Sequence, residues 1–292
     1  MQKKNKEALF AYTYILPGFI LLLTFYLIPI LMDVVFSFTK YNVIQSPKFI
    51  GMKNFQRLIS DKFILAGIKN TLIYSVITVP IQTIISLTIA ALLASKFKSS
   101  KFGEFTRSAL FIPVIASAVL ISTLWLNLLA SNGPINYLIK LLGGEPINWL
   151  GDKVLSLVSV SMTAIWKNIG YFLVIFYAGI LNIPGSLYEA AEVDGASRWQ
   201  QFCHITIPGL SSVTYMVITL GTIWSFQVFD IVYTMTGGGP GMSTVTLVLT
   251  IYTAAFKEYN MGYASAIALL LFLIVLFVQF LQKKIMKGGE ND

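Results

Sequence analysis

Six long apolar stretches divide the chain, and each is long enough to cross the hydrocarbon core of a bilayer as a helix of about 20 residues. They cover residues 14–36, 71–94, 108–130, 154–181, 210–232 and 263–281. We expect helices, because isolated strands would leave backbone hydrogen-bonding groups unsatisfied in lipid. The pattern predicts an all-α transmembrane fold, a single membrane domain over residues 1–292 with six spans and both termini on one side.

The composition agrees with a protein that lies mostly in lipid. Of the 292 residues, 56% are hydrophobic and 12% are charged, which is about half the charged fraction of ordinary soluble proteins. The formal net charge of +8 could suggest nucleic acid, but the lysines and arginines occur in short blocks beside the apolar stretches. That distribution is typical of residues that flank membrane spans. We therefore expect a lipid bilayer around the chain and no nucleic-acid partner.

The first apolar stretch follows a lysine-rich start, as in a signal peptide. It is too long for a signal-peptide core and lacks a small-residue cleavage site, so we expect an uncleaved span. Outside the spans, eleven lysines and arginines lie on the N-terminal side of the membrane and nine on the other side. The difference is small because residues 39–70, on the other side, carry six of the nine. The positive-inside rule therefore favours a cytoplasmic N-terminus only weakly.

Several kinds of site are excluded by what the chain lacks. Cys203 is the sole cysteine and His204 the sole histidine, so no internal disulfide, no zinc site and no serine–histidine dyad inside the membrane is expected. The glycine-rich segment of residues 237–244 has no lysine, which a phosphate-binding Walker motif requires. We expect no metal, no cofactor and no catalysis in this chain, and energy supplied by a partner.

The segment of residues 182–208, between the fourth and fifth stretches, is too polar to span the membrane and too patterned for a slack linker. Ser186 and Glu189 have the spacing of a capping box, which predicts that a helix starts there and runs to Asp194. Gly195 is expected to end that helix. A second short helix is expected after Gly195.

Ser197 is placed to cap a second helix that runs from Arg198 to about His204. Pro208 follows at a position where the next span begins and where a proline costs little. The expected arrangement is helix, glycine turn, helix, with small side chains and exposed carboxylates suited to a cleft on another protein.

The spacing of this segment is also a family signature. Glu-Ala-Ala, three residues, Gly, nine residues, Ile, one residue and an apolar residue before Pro resembles the coupling loop of type I ABC importer permeases, with Ile207 where leucine is usual. The resemblance implies a six-span permease fold with this loop in the cytoplasm, docked on an ATP-binding subunit, and therefore both termini in the cytoplasm. The residues implied in ATPase coupling are Glu189, Ala190, Ala191, Asp194, Gly195, Ile205 and Pro208.

Two further segments, Phe49–Phe55 and Thr236–Pro240, resemble those of carbohydrate-type permeases similar to the larger maltose permease subunit. This resemblance implies a multi-pass protein of a bacterial or archaeal cytoplasmic (inner) membrane. It also implies a second homologous permease, two ATPase subunits that bind ATP and Mg, and an extracellular or periplasmic binding protein that delivers a sugar. The Gly-Gly-Gly-Pro run itself predicts a tight external turn.

The resemblance also implies that stretches four and five line the substrate pathway. The candidates, matched by distance from the two motifs, are Asn168, Tyr171, Trp224, Ser225 and Gln227, together with Lys167. Flat aromatic faces and amide or hydroxyl groups suit a sugar, but each of these side chains could instead bridge or pack helices. Lys167 could face the pathway or the partner permease, or could form a buried ion pair between helices.

Two other functions fit six spans. A secondary transporter or channel for a small polar solute is one, but coupled carriers usually need carboxylates at depth. The spans contain Asp33 and Asp230, and both are expected towards the outer surface. The second alternative is an intramembrane enzyme. The chain has no pair of histidines that could bind zinc, so the sequence does not favour it. Co-purification with an ATPase would separate these classes from an ABC permease.

Overall fold

The computed structural model describes residues 2–97 and 100–287, with side chains for residues 12–97 and 100–285. The chain forms two compact units, one of Met1–Ile64 with Thr250–Leu273 and one of Leu65–Leu249 with Ile274–Asp292. Residue 1 and residues 288–292, the ends of the termini that are expected in the cytoplasm, lie outside the described part. So do Lys98 and the side chains of the N-terminal lysines that entered the charge count.

Unit 1 contains the first span and the segment that follows it. Its elements are α1 (Gln2–Leu22), a π-helical turn (Leu23–Leu27), α2 (Ile28–Ser37), β1 (Thr39–Lys40), β2 (Lys48–Phe49), α3 (Lys53–Ser60) and a second π-helical turn (Thr253–Lys257). The two short strands are antiparallel, with Thr39 opposite Phe49 and Lys40 opposite Lys48.

Unit 2 is built from helices. Those wholly inside it are α5 (Lys101–Ile115), α6 (Ala118–Leu128), α7 (Pro134–Leu141), α8 (Leu155–Leu181), α9 (Gly185–Val193), α10 (Arg198–Gln201), a π-helical turn (Phe202–Thr206), α11 (Ile207–Gly209), α12 (Ser211–Phe226) and α13 (Asp230–Met235). The chain passes between the units within α4 (Lys62–Lys96), α14 (Leu247–Tyr252) and α15 (Met261–Lys287).

Four helical segments are each long and apolar enough to cross a membrane, namely Tyr12–Ser37, Lys62–Lys96, Leu155–Leu181 and Met261–Ile285. Two bent helix pairs pass the same test, which gives six crossings if each pair is one span. These segments coincide with the six apolar stretches of the sequence.

The third predicted span, residues 108–130, consists of two helices instead of one. α5 and α6 meet at an angle of 102°. Ala116 is extended, and Ser117 caps α6 by accepting a hydrogen bond from the Leu120 amide at 3.2 Å. A serine that bonds to nearby backbone offers the chain an alternative to a continuous helix. The average hydrophobicity of residues 108–130 does not reveal such a break, because it depends on one serine.

The fifth predicted span, residues 210–232, is also interrupted. A 68° bend separates the helical segment ending at Gly209 from α12, and a break follows between Phe226 and Asp230. The carbonyl of Val228, freed by that break, accepts a hydrogen bond from the buried hydroxyl of Thr246 at 3.2 Å. This carbonyl is therefore satisfied inside the protein, as a membrane environment requires.

Two of the π-helical turns end two residues before a proline. Pro29 follows the turn Leu23–Leu27, and Pro208 follows the turn Phe202–Thr206. A proline ring clashes with the carbonyl four residues earlier in an α-helix. The wider π turn gives that carbonyl room, so the helix continues through each proline.

Close helix packing in unit 2 depends on a glycine. Gly170 of α8 lies against the backbone of Leu110 in α5, and a Cβ atom there would overlap the Leu110 carbonyl. Buried apolar side chains fill the space around α8 in two clusters, one of them centred on Phe172, Leu173 and Phe176. Dispersion contacts and small residues are what hold helices together in lipid.

The Gly-Gly-Gly-Pro run forms the tight turn that the sequence predicts. Gly237 and Gly238 have φ values of +58° and +97°, which side-chain-bearing residues rarely adopt. The Thr244 hydroxyl closes the turn by donating to the Gly239 carbonyl at 2.8 Å.

Candidate functional site

The first helix of the 182–208 loop ends in a complete glycine-based cap. Gly195 has φ +76°. Its amide donates to the Glu192 carbonyl at 3.1 Å, and the Ala196 amide donates to the Ala191 carbonyl at 2.9 Å. This pair of bonds is the Schellman motif. The prediction that Gly195 ends the helix is confirmed.

The start of the same helix differs from the expected capping box between Ser186 and Glu189. α9 begins at Gly185, with Pro184 as its N-cap and no side-chain cap bond. Ser186 is therefore already inside the first turn, where its hydroxyl cannot occupy the cap position. The expectation was wrong because Pro184, whose φ is fixed near −57°, is the N-cap, two residues before Ser186.

Ser197 does cap the second helix, as predicted. Its hydroxyl accepts from the Gln200 amide at 3.3 Å, and the Gln200 side chain in return accepts from the Ser197 amide at 2.8 Å. The capping box of this loop thus lies one helix later than expected. The helix also runs past His204, through the π turn, to Gly209.

A side-chain hydrogen bond joins the two helices of the loop. The Tyr188 and Thr206 hydroxyl oxygens lie 2.9 Å apart, and Thr206 is buried. This bond fixes α9 against the helix that leads into α12. Sequence reasoning missed both residues, because their contact depends on how the loop folds back.

The loop and the ends of α8 and α12 enclose a cleft of about 470 Å³. Its lining residues are Gly179, Asn182, Ile183, Pro184, Leu187, His204, Ile205, Pro208, Gly209 and Val213. Of the predicted coupling residues, Ile205 and Pro208 therefore face this cleft.

The other predicted coupling residues are not among those that line this cleft. Glu189, Ala190, Asp194 and Gly195 are exposed, and Ala191 is half-buried. Large apolar side chains are exposed on the same loop, with Val193 at 89% and Trp199 at 71% exposure. Carboxylates interspersed with exposed apolar groups form a surface suited to a protein partner. The predicted set thus contains two residues that line the cleft, Ile205 and Pro208, and five that do not.

The pathway candidates of α8 and α12 form an aromatic group. The ring centroids of Tyr171 and Trp224 are 4.9 Å apart, and those of Phe172 and Trp224 are 5.4 Å apart. Phe172 is fully buried, whereas Tyr171 is half-buried and Trp224 is 38% exposed. Tyr171 and Trp224 can therefore offer ring faces to a ligand while Phe172 supports them.

Two amides lie beside this group. The Asn168 Nδ2 atom is 3.5 Å from Oε1 of Gln82, which is 2% exposed on α4. Gln82 packs against Gly221, where an added Cβ would lie 2.7 Å from its Nε2 atom. Sequence reasoning missed Gln82, although a glutamine within an otherwise apolar span was a usable signal.

The remaining candidates divide between packing and exposure. The Ser225 hydroxyl lies 2.7 Å from the Ser75 hydroxyl and 2.8 Å from the Thr222 carbonyl, so it joins α12 to α4. Gln227 is exposed at the break after α12. Lys167 is half-buried in α8, and within residues 12–97 and 100–285 no carboxylate lies at ion-pair distance from it.

The fold is that of a polytopic membrane permease. It superimposes on a chain of a bacterial ABC transporter involved in the import of the acidic polysaccharide alginate, with a TM-score of 0.85 and 21% identity over 98% of both chains. Residues 59–288 match the family described as binding-protein-dependent transport system inner membrane component. The chain belongs to this family of ABC importer permeases and shares the type I permease fold.

Two relatives agree with that assignment. The chain is 34% identical to the lactose transport system permease protein LacF of Rhizobium radiobacter, over 92% of this chain and 91% of LacF. It is 32% identical to the trehalose/maltose transport system permease protein MalF of Thermococcus litoralis, over 94% of this chain and 92% of MalF. It is therefore a multi-pass inner-membrane transport component and not an enzyme.

Proposed function

We propose that this chain is one of two permease subunits of an ABC sugar importer. The other permease is homologous, an extracellular or periplasmic binding protein delivers the sugar, and two ATPase subunits bind ATP and Mg and drive transport. The relatives named for lactose and for trehalose/maltose transport support the substrate class. The partly exposed rings of Tyr171 and Trp224 and the partly buried amide of Asn168 support it chemically.

The observation that carries the proposal is the 182–208 loop. Its exposed carboxylates and apolar side chains, held on a helix with a Schellman end at Gly195, form a rigid projection with an uncovered face. A rigid projection transmits movement of an attached ATPase to α8 and α12, which hold the pathway candidates. In this topology the loop and both termini lie in the cytoplasm.

Catalysis belongs to the partner in this proposal. The described residues contain no group of three or more His, Cys, Asp or Glu side chains that could hold a metal, and the chain carries no Walker motif. ATP hydrolysis and Mg binding are therefore assigned to the ATPase subunits. A six-span secondary transporter would need no such partner, and the family membership favours the importer.

The test exploits two glycine caps of the same design. Gly143 ends α7 with φ +82° and repeats both Schellman bonds, from Gly143 to Lys140 and from Gly144 to Ile139. Leucine at either glycine therefore imposes a similar backbone strain of about 1 kcal/mol. We expect Gly195→Leu to lower ATPase stimulation and uptake in proteoliposomes by ten-fold or more, and Gly143→Leu to leave both within two-fold.

Membrane insertion of both variants is measured in parallel. Wild-type ATPase stimulation in Gly195→Leu would contradict the proposed role of the loop. The sugar is identified separately, by adding candidate sugars with the binding protein to the reconstituted complex and measuring ATPase stimulation.

A further inference from the structure

The short hairpin between the first span and α3 contains a repulsive pair of cations. Lys40 on β1 lies directly opposite Lys48 on β2, and like charges at opposed positions of an antiparallel ladder are destabilising. Residues 41–47, which connect them, contain no carboxylate. Both lysines are exposed, and within the described side chains neither has an ion-pair partner. The fold leaves this repulsion uncompensated.

The hairpin backbone is nevertheless held firmly from its inner side. The buried Asn54 side chain donates to the Ser37 and Thr39 carbonyls at 2.8 and 2.9 Å. The Gly262 amide donates to the Tyr41 carbonyl at 3.2 Å. These bonds hold β1 in place, and the Ile50 amide, directly after β2, donates to the Phe38 carbonyl at 2.9 Å. Moving β2 away from β1 to relieve the lysine pair would therefore cost hydrogen bonds between the two strands.

Nearby carboxylates do not neutralise the lysines. Asp61 is the sole acidic residue of the segment 39–70. Its Oδ2 atom accepts a 2.7 Å hydrogen bond from the Tyr263 hydroxyl and lies 3.8 Å from Arg57 Nε. Glu258 also pairs with Arg57, at 3.9 Å. The carboxylates of Asp61 and Glu258 therefore lie beside Arg57 and not beside the two lysines.

The lysines are accompanied by large exposed apolar side chains. Ile44 is 87% exposed at the hairpin tip, and Phe49 is 79% exposed on β2. β1 begins two residues after the end of the first span at Ser37, and the rings of Phe36 and Tyr41 stack at 4.7 Å. Aromatic residues at a span end mark the level of the lipid headgroups.

The composition of this surface distinguishes between possible occupants. Lysine is depleted in protein–protein interfaces, whereas lysines combined with apolar side chains are typical of segments that lie in a membrane interface. A bilayer offers phosphate oxygens to the ammonium groups and an acyl boundary to the apolar side chains. One partner, the bilayer, then binds both the lysines and the apolar side chains of the hairpin.

We propose that the hairpin of residues 39–49 binds the phosphate groups of anionic phospholipids in the leaflet beside it. Lys40 and Lys48 hold the headgroups, and Ile44 and Phe49 enter the acyl boundary. The negative headgroups relieve the repulsion between the two lysines, which accounts for a cation-rich segment on the side that the positive-inside rule leaves poor in positive charge. The inference goes beyond the proposed function and does not depend on the transported solute.

The test places a fluorescent reporter at the hairpin tip. Cys203→Ser removes the sole cysteine, and Ile44→Cys provides one for labelling with bimane. The full chain is placed in nanodiscs of fixed phosphatidylglycerol-to-phosphatidylcholine ratio, with brominated acyl chains on one lipid or on the other. Quenching by each brominated lipid reports which lipid lies next to residue 44.

We expect quenching by brominated phosphatidylglycerol to exceed that by brominated phosphatidylcholine about two- to three-fold. The ratio should fall to about one in Lys40→Gln/Lys48→Gln and persist in Lys40→Arg/Lys48→Arg. Lys140→Gln/Lys153→Gln removes two exposed cations elsewhere and should leave the ratio unchanged. Because the arginine variant keeps the charge, it separates loss of lipid binding from misfolding.

Three results would overturn the inference. Equal quenching by the two lipids, or none by either, would show that the hairpin does not select anionic lipid. Loss of the preference on adding millimolar glycerol 3-phosphate would assign the site to a soluble phosphate. A lower affinity of the binding protein for Lys40→Gln/Lys48→Gln in discs without phosphatidylglycerol would assign the surface to that protein.

Discussion

Tyr188 and Thr206 connect the two helices of the 182–208 loop through hydroxyl oxygens 2.9 Å apart. Tyr188 belongs to the helix that ends at Gly195, and Thr206 to the helix that leads through Pro208 into α12. The bond therefore lies between the exposed projection and the span that holds Trp224. In the proposed importer, movement of the ATPase reaches the membrane through this contact.

Removing the bond should uncouple ATP hydrolysis from uptake. We expect Tyr188→Phe and Thr206→Val each to lower the amount of sugar taken up per ATP hydrolysed by several-fold, since a hydrogen bond of this kind contributes about 1 kcal/mol. The double variant should be no worse than either single one. The measurement is uptake and phosphate release in the same proteoliposomes, and Tyr137→Phe, an exposed tyrosine of α7, is the control. Additive losses in the double variant would mean that the two residues act independently.

The Ser197 cap gives a second prediction, with a matched control in the same loop. Ser197→Ala removes a cap bond and its reciprocal partner, which costs about 1 kcal/mol of local stability. Ser186→Ala removes an exposed serine that caps nothing. We expect faster amide hydrogen exchange at Trp199–Gln201 in the first variant and unchanged exchange in the second. The opposite ranking would restore the capping box at Ser186.

The comparison of these two serines shows how far the sequence determines the loop. Both lie three residues before a Glu or Gln, so the spacing alone cannot choose between them, and Pro184 decides the start of α9 by fixing its own backbone. The glycine stop at Gly195 was predictable because glycine adopts the positive φ of a helix end without the steric cost that other residues incur. The contact between Tyr188 and Thr206 was not, because it forms across eighteen residues of folded chain.

In the membrane spans, too, the sequence determines some features and leaves others to the folded structure. Average hydrophobicity located all six apolar stretches, because burial in lipid requires only length and composition. It could not reveal the break at Ala116–Ser117 or the one after Phe226, since each depends on one local hydrogen bond inside an apolar run. Trp224 and Tyr171 were predicted as pathway residues by resemblance and stay predictions, whereas Gln82 is a candidate that only the packing of α4 against Gly221 brings forward.

Helix packing in unit 2 supplies a stability prediction. Gly170→Ala introduces a Cβ into the Leu110 backbone, which cannot move aside as a flexible side chain would, so we expect a loss of at least about 2 kcal/mol. Gly18→Ala adds the same methyl group where no atom lies within 4 Å, and its effect should stay within about 0.5 kcal/mol. Thermal unfolding of the two variants in detergent measures the difference. Equal melting temperatures would show that α5 and α8 tolerate separation.

The last prediction concerns the pathway. The Trp224 ring lies 4.9 Å from that of Tyr171 at a tilt of 52°, and Trp224 lies two residues before the end of α12, where the fifth span is interrupted. Transporters typically hold their substrates at interrupted helices. We expect Trp224→Ala to raise the sugar concentration needed for half-maximal uptake by about ten-fold, since a lost aromatic stacking partner is worth about 1 kcal/mol or slightly more. Trp224→Phe keeps a ring face and should stay within about three-fold.

Trp199→Ala is the matched tryptophan control for this experiment, because Trp199 is exposed in the 182–208 loop. It should alter ATPase stimulation without changing the concentration dependence of uptake. Concentration dependence measured at saturating binding protein separates the two effects. If Trp224→Ala lowered the maximal rate alone, leaving half-saturation as in the unmodified protein, Trp224 would be a packing residue between α8 and α12 instead of a sugar contact.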